Sequence, residues 1–435
     1  MAIGAREAAV KALSLCRKNG AWSEAALGNI IKKENMERRE AALASKLCYG
    51  VIQNSALCDF YISQFSKTPI NKIEPVVRDI LRISIYQMVF LTKIPISAAV
   101  NEGVKLTKSF SSKASGFSNA ILRKISANLD NLPQPQSLSV KYSHPEWLVR
   151  EYTDKLGESG AEALLAANNT QVPLTAQINT LKSDMKSILT KMEQAGISAS
   201  PHSWLPDCVE LSGTGDLEKL EAFTSGEIYI QDAAARCAVM AAAPAPGDNV
   251  LDACAAPGGK SFAAAIMMEN RGSIISCDIH QKKLALIQKG CDRLGIDIIH
   301  TECRDAKKSV QEFLRGFDVV MADVPCSGMG IIRKKPEIRE KSRDSIAGLP
   351  EIQLNILQNI SQYVRMGGVL LYSTCTVLTQ ENDDVIAKFL SQNDNFRPEP
   401  FALPKIGEIK DGRITLYPHI HGTDGFYICK LGRVR

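Results

Sequence analysis

The sequence predicts a multidomain chain: an all-α domain first, a small α+β domain next, and a doubly wound, mostly parallel α/β domain last. Three observations carry this. The 435 residues suffice for about three domains of ~150 residues each. Residues 4 to 127 hold helical periodicity throughout, with no strand-like alternation. After Gln231 short apolar runs alternate regularly with helical stretches, the texture of a parallel sheet.

In the first domain (1–127), Ile73, Val77, Ile80, Leu81, Ser84 and Met88 recur at i, i+3, i+4 spacing, and Leu106, Phe117, Ile121 and Leu122 mark further amphipathic helices. Residues 128–139, with two prolines and few apolar anchors, read as a linker. From 140 to 228 helical stretches (147–156, 162–167, 185–195) mix with a strand at 174–178, which suits a small α+β domain. In the last domain (229–435) strands are expected at 249–252, 273–278, 298–302, 318–322 and 369–373. The helix before the last of these opens at Pro350, presents Ile352, Ile356, Leu357, Ile360 and Val364 on one face, and is expected to stop at Gly367-Gly368. Residues 424–429 read as a final edge strand, with Gly425 permitting a turn or bulge.

Composition excludes several classes. With 45% hydrophobic and 23% charged residues, disorder, a collagen-like repeat and a coiled-coil rod are disfavoured. No apolar run approaches the ~18 residues of a membrane span, and the amphipathic start has no signal-peptide core, so a cytoplasmic protein is expected. The net charge of +5 conceals a division: residues 1–125 hold 19 Lys plus Arg against 9 Asp plus Glu, leaving 33 against 38 elsewhere. A basic N-terminal domain fits a polyanionic partner, or else a solubilising surface. Of the 12 cysteines none forms a Cys-x-x-Cys pair, so no zinc ribbon or redox motif is supported. Cys16, Cys48, Cys58, Cys208, Cys237, Cys291 and Cys429 read as small core residues. His419 and His421 lack a third partner, so no metal is expected.

Chemistry is concentrated at strand ends. The strand ending at Asp252 runs into Ala253-Cys254-Ala255-Ala256-Pro257-Gly258-Gly259-Lys260-Ser261, where small residues and two glycines let the backbone approach a ligand over a helix N-terminus. It is not the phosphate-binding loop, which needs Gly where Cys254 stands, nor Gly-x-Gly-x-x-Gly. Lys260 fits either helix-start packing or a ligand contact. Asp278, 20 residues after Gly258, stands where a carboxylate accepts from ribose hydroxyls. Asp305 follows the third strand and suits the far side of the same ligand; a helix N-cap is the alternative for both. Two further strands end in Asp323-Val324-Pro325-Cys326-Ser327-Gly328 and Ser373-Thr374-Cys375-Thr376. Ligands in open α/β sheets lie beyond the carboxyl ends of strands, and a thiol among turn residues there is better suited to reaction than to packing.

These motifs, with Glu381-Asn382 after them, resemble the RsmB/NOP family of RNA cytosine-5 methyltransferases, which use S-adenosylmethionine. The helical domain is similar to NusB, an RNA-binding domain, through residues 80–86, 98–102 and 117–123. Together the resemblances cover nearly the whole chain. They imply a Rossmann-like catalytic domain acting on a specific cytosine of 16S rRNA, in naked RNA or an assembling small subunit, by a monomer without metal. They further imply that Cys375 attacks cytosine C6, that Cys326 assists adduct breakdown, and that Asp323 holds the base and the developing charge. Cofactor contacts are expected from Cys254, Ala255, Ala256, Pro257, Gly258, Gly259, Lys260, Asp278, Asp305 and Asp323. Val324 replaces a frequent Pro, which touches only the local turn. The basic segment with Arg333, Lys334 and Lys335 fits phosphate contacts beside a flipped base, or a solvated loop; the middle domain is also expected to bind RNA. Competing readings are a DNA cytosine-5 or amine methyltransferase and a catalytically silent RNA-binding factor. The first lacks support because Thr374-Cys375 is present and no Asp/Asn-Pro-Pro-aromatic motif is. Retention of both thiols, Asp278 and Asp323 opposes the second.

Overall fold

Helix-forming residues dominate the first 170 positions, and they pack as one body. The computed structural model describes residues 3–19 and 22–435. It divides into two compact units, Met1–Thr170 with Ile332–Lys341, and Gln171–Ile331 with Ser342–Arg435.

The first unit is built around helix Pro75–Phe90. Proline opens it at a position whose N–H needs no partner. Val77, Ile80, Leu81, Ile83 and Ile85 are buried, and so are the polar Asp79, Ser84 and Gln87, so this helix is covered on most of its circumference and sits inside the bundle. Helices Ala5–Asn19, Arg38–Gln53, Ile96–Phe110 and Ser115–Ser126 surround it. Gly50 allows one close crossing, since a Cβ there would lie 2.0 Å from the Tyr86 ring. Asp79, only 2% exposed, is held by Arg17 and Arg82, which supplies the partners a buried carboxylate requires.

The linker expected at 128–139 is short on extended chain: a turn of helix covers Leu129–Asn131, and Ser137 caps helix Leu138–Tyr142 by accepting from the Ser139 N–H. Helix Glu146–Ala167 then joins the same unit, bent at Gly157 (φ 71°) and burying Leu148, Tyr152, Leu164 and Leu165. The first compact unit therefore reaches Thr170.

The excursion Ile332–Lys341 completes this unit. Ile332 and Ile338 are buried. Arg339, 3% exposed, donates from Nη1 to the carbonyls of Gln53 (2.8 Å) and Ser143 (3.0 Å) and from Nη2 to Asn169 Oδ1 (2.9 Å). Burial without a carboxylate partner at bonding distance pulls its guanidinium down to about 10. Glu337 Oε1 accepts from both the N–H and the hydroxyl of Ser23 at 2.9 Å. The segment is thus not the solvated basic loop that its composition allowed: Arg333 and Arg339 are buried, while Lys334 and Lys335 are exposed.

The second unit holds two main sheets. Strands β1 (Leu174–Ile178), β2 (Ser198–Pro201), β3 (Cys208–Ser212) and β4 (Ile228–Ile230) form an antiparallel sheet in the order β2-β3-β1-β4. Helix Met185–Gln194, capped by Asp184 accepting from Ser187 N–H, buries Ile188 and Met192 in its core. Because β4 pairs with β1, residues 229 and 230 belong to this sheet and not to the larger one.

The larger sheet contains β5 (Asn249–Asp252), β6 (Ser273–Asp278), β7 (Ile299–Cys303), β8 (Phe317–Asp323) and β9 (Val364–Thr374), in the parallel order β7-β6-β5-β8-β9. Strands β10 (Phe396–Pro398), β13 (Arg413–Leu416) and β14 (Phe426–Arg433) extend it antiparallel, with β14 against β9; β11 (Phe401–Leu403) and β12 (Gly407–Ile409) form a separate hairpin. Strand order runs outward in both directions from β5, so the crevice of a doubly wound sheet opens past the ends of β5 and β8. Two expectations fail: β14, expected as an edge strand, is paired on both sides, by β9 and by β10 and β13, and the helix before β9 ends early. The helix is Leu349–Ile360, and Val364, buried, already pairs with Phe317 in β9. Gly367-Gly368 does not stop a helix but lies within the strand, where Gly367 takes φ 72° and the register against β8 shifts; glycine supplies the left-handed residue of a bulge.

Candidate active site

Past the end of β5, the Ala253 N–H donates to Met321 O (2.9 Å) and the Ala255 N–H to Cys277 O (2.8 Å), pinning the loop between β8 and β6. Gly258 adopts φ 109° immediately before helix Gly259–Met267, a conformation natural to glycine, and a Cβ there would lie 2.7 Å from Phe262. Beneath the loop, Asp252 is fully buried; Oδ2 accepts from Ser261 Oγ (2.7 Å), which in turn accepts from Ser276 Oγ (2.8 Å). Burial raises its carboxyl to about 6, and Oδ1 has no hydrogen-bond partner. Cys254, half-buried, is pushed far above the usual thiol range by burial.

Asp278 ends β6 and Asp305 follows β7, both half-buried. Each uses one oxygen to accept from the backbone N–H two residues on, of His280 (2.8 Å) and Lys307 (3.0 Å). Neither is the helix N-cap of the alternative reading: His280 holds that place before helix Gln281–Leu294 and no helix opens at Asp305, so each side chain closes only a local turn and keeps an oxygen to spare.

Asp323 ends β8. Its Oδ2 lies 2.6 Å from Lys260 Nζ, and Oδ1 accepts from Ser373 Oγ at 3.0 Å. Burial opposes the Lys260 ammonium, but the charge and hydrogen bond of Asp323 outweigh it and raise its pKa above the usual value. Lys260, ambiguous in sequence, thus turns inward to the strand-end carboxylate, with the Phe426 ring 5.3 Å away.

The two thiols meet: Cys326 Sγ and Cys375 Sγ are 3.1 Å apart. The hydrogen bond to Cys375, then burial, then the charges of Glu381 and Asp323 push Cys326 well above its ordinary value. Either sulfur can serve as the donor of this bond. Surrounding bonds hold both turns in place. Glu381, fully buried, accepts at Oε2 from Ser327 N–H (2.8 Å) and Gln353 Nε2 (2.9 Å), and Gln353 also donates to Pro325 O (3.0 Å). Asn382 Oδ1 accepts from Thr374 Oγ1 (2.6 Å), while its Nδ2 donates to Thr376 O (3.0 Å). Gly330 N–H donates to Cys375 O (2.9 Å), and Gly425 N–H to Gly330 O (2.8 Å). The sequence allowed Gly425 a turn or bulge; what requires glycine there is a close approach, since a Cβ on Gly330 would lie 1.8 Å from Gly425 O and two glycine backbones touch beside Cys375.

The structure therefore brings Lys260, Asp323, Cys326 and Cys375 together, with Gly258 and Gly259 on the loop that leads to Lys260. Arg333, Lys334 and Lys335 pack with the helical unit instead. Sequence reasoning left Glu381, Asn382, Gln353, Ser373 and the Gly330–Gly425 contact without roles. Among the described residues no three His, Cys, Asp or Glu side chains are grouped to hold a metal.

The family model for the 16S rRNA methyltransferase RsmB/F matches residues 239–432, that for NusB residues 4–127, and that for the ferredoxin-like domain of RsmF/B-like methyltransferases residues 144–218. The chain is 38% identical, over 98% of both sequences, to the probable ribosomal RNA small subunit methyltransferase B of Bacillus subtilis (strain 168). It belongs to the RsmB/F family. Other RsmB relatives include the probable ribosomal RNA small subunit methyltransferase B of Synechocystis sp., 31% identical over 99% of both chains. The crystal structure of PH0851 superimposes with a TM-score of 0.81 over 99% of both chains at 25% identity. That of NSun6 from Pyrococcus horikoshii with SFG, at 21% identity, shares the fold over 67% of this chain and 98% of its own with a TM-score of 0.59.

As an RsmB/F methyltransferase the chain uses S-adenosylmethionine. Its residues fit that group: a glycine loop over a helix start, carboxylates ending β6 and following β7 with an oxygen to spare for hydroxyl and amino groups, and an unpaired buried Asp252 oxygen under the loop.

Proposed function

We propose that this RsmB/F protein methylates C5 of a specific cytosine in 16S rRNA through a covalent cysteine–C6 adduct, in the cytoplasm. The observation that carries this is the thiol pair, 3.1 Å apart, beside the Lys260–Asp323 pair.

Cytosine C5 is a poor nucleophile until something adds to C6, and a thiolate both adds readily and leaves again. Cys375, the cysteine of the Thr374-Cys375 turn that the family resemblance marks as nucleophile, is the attacking group: its sulfur bonds to C6 and C5 becomes enamine-like. Asp323 hydrogen-bonds the base at N3 or N4 and stabilises the charge shift, while Lys260 and Ser373 hold its two oxygens in fixed positions, a preorganised electrostatic arrangement. Bound S-adenosylmethionine supplies the electrophilic methyl group, held by the 254–260 loop, Asp278 and Asp305. Cys326 then assists removal of the C5 proton or release of the product as the C6–sulfur bond breaks.

Cys375→Ala is expected to abolish methyl transfer and the covalent RNA complex, and Cys326→Ala to accumulate that complex on denaturing gels. An adduct formed by Cys375→Ala but not by Cys326→Ala exchanges the two roles and overturns the mechanism. Bisulfite mapping of 16S rRNA with and without the gene identifies the cytosine.

A further inference from the structure

Trp22 is 48% exposed, although burial of an indole is strongly favourable. Its place is fixed by the chain around it. Ser23, fully buried, is tied by two 2.9 Å hydrogen bonds to Glu337, and two residues before Glu337 the ammonium of Lys335 stands 5.4 Å from the centre of the Trp22 ring. Trp22, Lys334 and Lys335 line one cleft of about 400 Å³, with Glu24 and the Ser23-bonded Glu337 also on its wall. A rigid, half-exposed aromatic face edged by cations is the combination that single-stranded nucleic acid uses, bases stacking on the ring and phosphates meeting the ammonium groups. Glu24 disfavours phosphate on its own side, which places the backbone of such a strand along Lys334 and Lys335. The charge of the helical region agrees, since its 19 basic residues outnumber its 9 acidic ones within residues 1–125. Chain connectivity adds a link to the chemistry: Lys334 lies eight residues after Cys326 on the same connection between β8 and β9.

We propose that Trp22, Lys334 and Lys335 form a subsite for an unpaired nucleotide of the RNA substrate, Trp22 stacking on the base and the two lysines holding its phosphates. This deepens the proposed function and rests on RNA being the substrate. It moves the expected role of the lysines from gripping the duplex beside a flipped base to holding a single strand on an aromatic platform. Solvent cover of the indole by a lysine stem is the alternative, and it makes no demand on RNA.

The test measures binding of a fluorescein-labelled single-stranded RNA of about 12 nucleotides, and of its duplex, to the full-length protein across a salt series. Trp22→Ala is expected to weaken single-strand binding about 5- to 150-fold at unchanged salt slope, with Trp22→Phe retaining most of the affinity and duplex binding unaffected. Joint Lys334→Ala and Lys335→Ala substitution is expected to lower the log–log salt slope by roughly 0.7 per lysine. Unchanged single-strand affinity in Trp22→Ala, or equal weakening of single strand and duplex, overturns the subsite. So does an unchanged salt slope in the lysine variant, which serves if Trp22→Ala fails to fold. The adduct assay separates this from the chemistry: trapping by Cys326→Ala with no effect of Trp22→Ala leaves the chemistry standing and removes the subsite, and the converse result does the opposite.

Discussion

Asp252 offers a test that needs no RNA. Its carboxyl is fully buried beneath the glycine loop, and burial raises it from the ordinary 3.8 to about 6 against the opposing effects of the Ser261 hydrogen bond and the Lys260 charge, with Asp323 adding to the rise. A folded-state pKa above the unfolded value means that the native protein binds the extra proton. Its stabilisation is complete below about pH 4 and is lost as pH rises through about 6. A shift of roughly two units corresponds to about 3 kcal/mol. Asp252→Asn cannot titrate, and its carbonyl oxygen still accepts from Ser261. Relative to the parent protein it is therefore expected to gain about 2 kcal/mol of that in going from pH 4 to pH 7. Urea unfolding of both proteins at several pH values in that range, followed through the transition of the second unit, reads the difference directly. A gap that stays flat with pH, or one that closes as pH rises, refutes the reasoning.

Two further substitutions probe packing. Arg339→Ala leaves the carbonyls of Gln53 and Ser143 and the Asn169 side chain without their donor; offset by relief of a buried charge, the loss of stability is expected to be about 2–4 kcal/mol, measured by thermal and urea unfolding, and a loss below about 1 kcal/mol contradicts it. Gly330→Ala forces a Cβ against Gly425 O beside Cys375 and is expected to slow methyl incorporation about 100-fold, whereas Gly348→Ala, with nothing within 4 Å, leaves the rate unchanged; equal rates for the two variants dismiss the close contact as a determinant.

What the sequence disclosed follows from the range of the interactions involved. Amphipathic periodicity around Ile80 and Leu81, and the small-residue loop after Asp252, are local patterns, and both stand in the structure as read. So does the convergence of Cys326 and Cys375, because strand ends in a parallel sheet share one mouth. Long-range partners were hidden. Nothing near Glu381 in sequence announces that its carboxylate holds the turn after Cys326, and Gly425 reads as a turn or bulge until Gly330 is placed beside it. Gly367-Gly368 misled because glycine ends helices and bulges strands alike; the buried Val364 paired to Phe317 decides between them. Charge counting failed at Arg339 for a similar reason: its partners are backbone carbonyls, which carry no sequence signature.

The excursion of residues 332–341 into the helical unit has a consequence for how the protein is made. That unit occupies the start of the chain, yet Ile332, Ile338 and Arg339 are part of its interior. During synthesis the helical bundle emerges early but lacks its last piece until 171 further residues, from 171 to 341, have been added. At ~5–20 residues per second that is roughly 10 to 30 seconds. Through that interval the carbonyls of Gln53 and Ser143 wait for a guanidinium not yet translated, and the helical unit gains its last piece only after most of the other unit has been made.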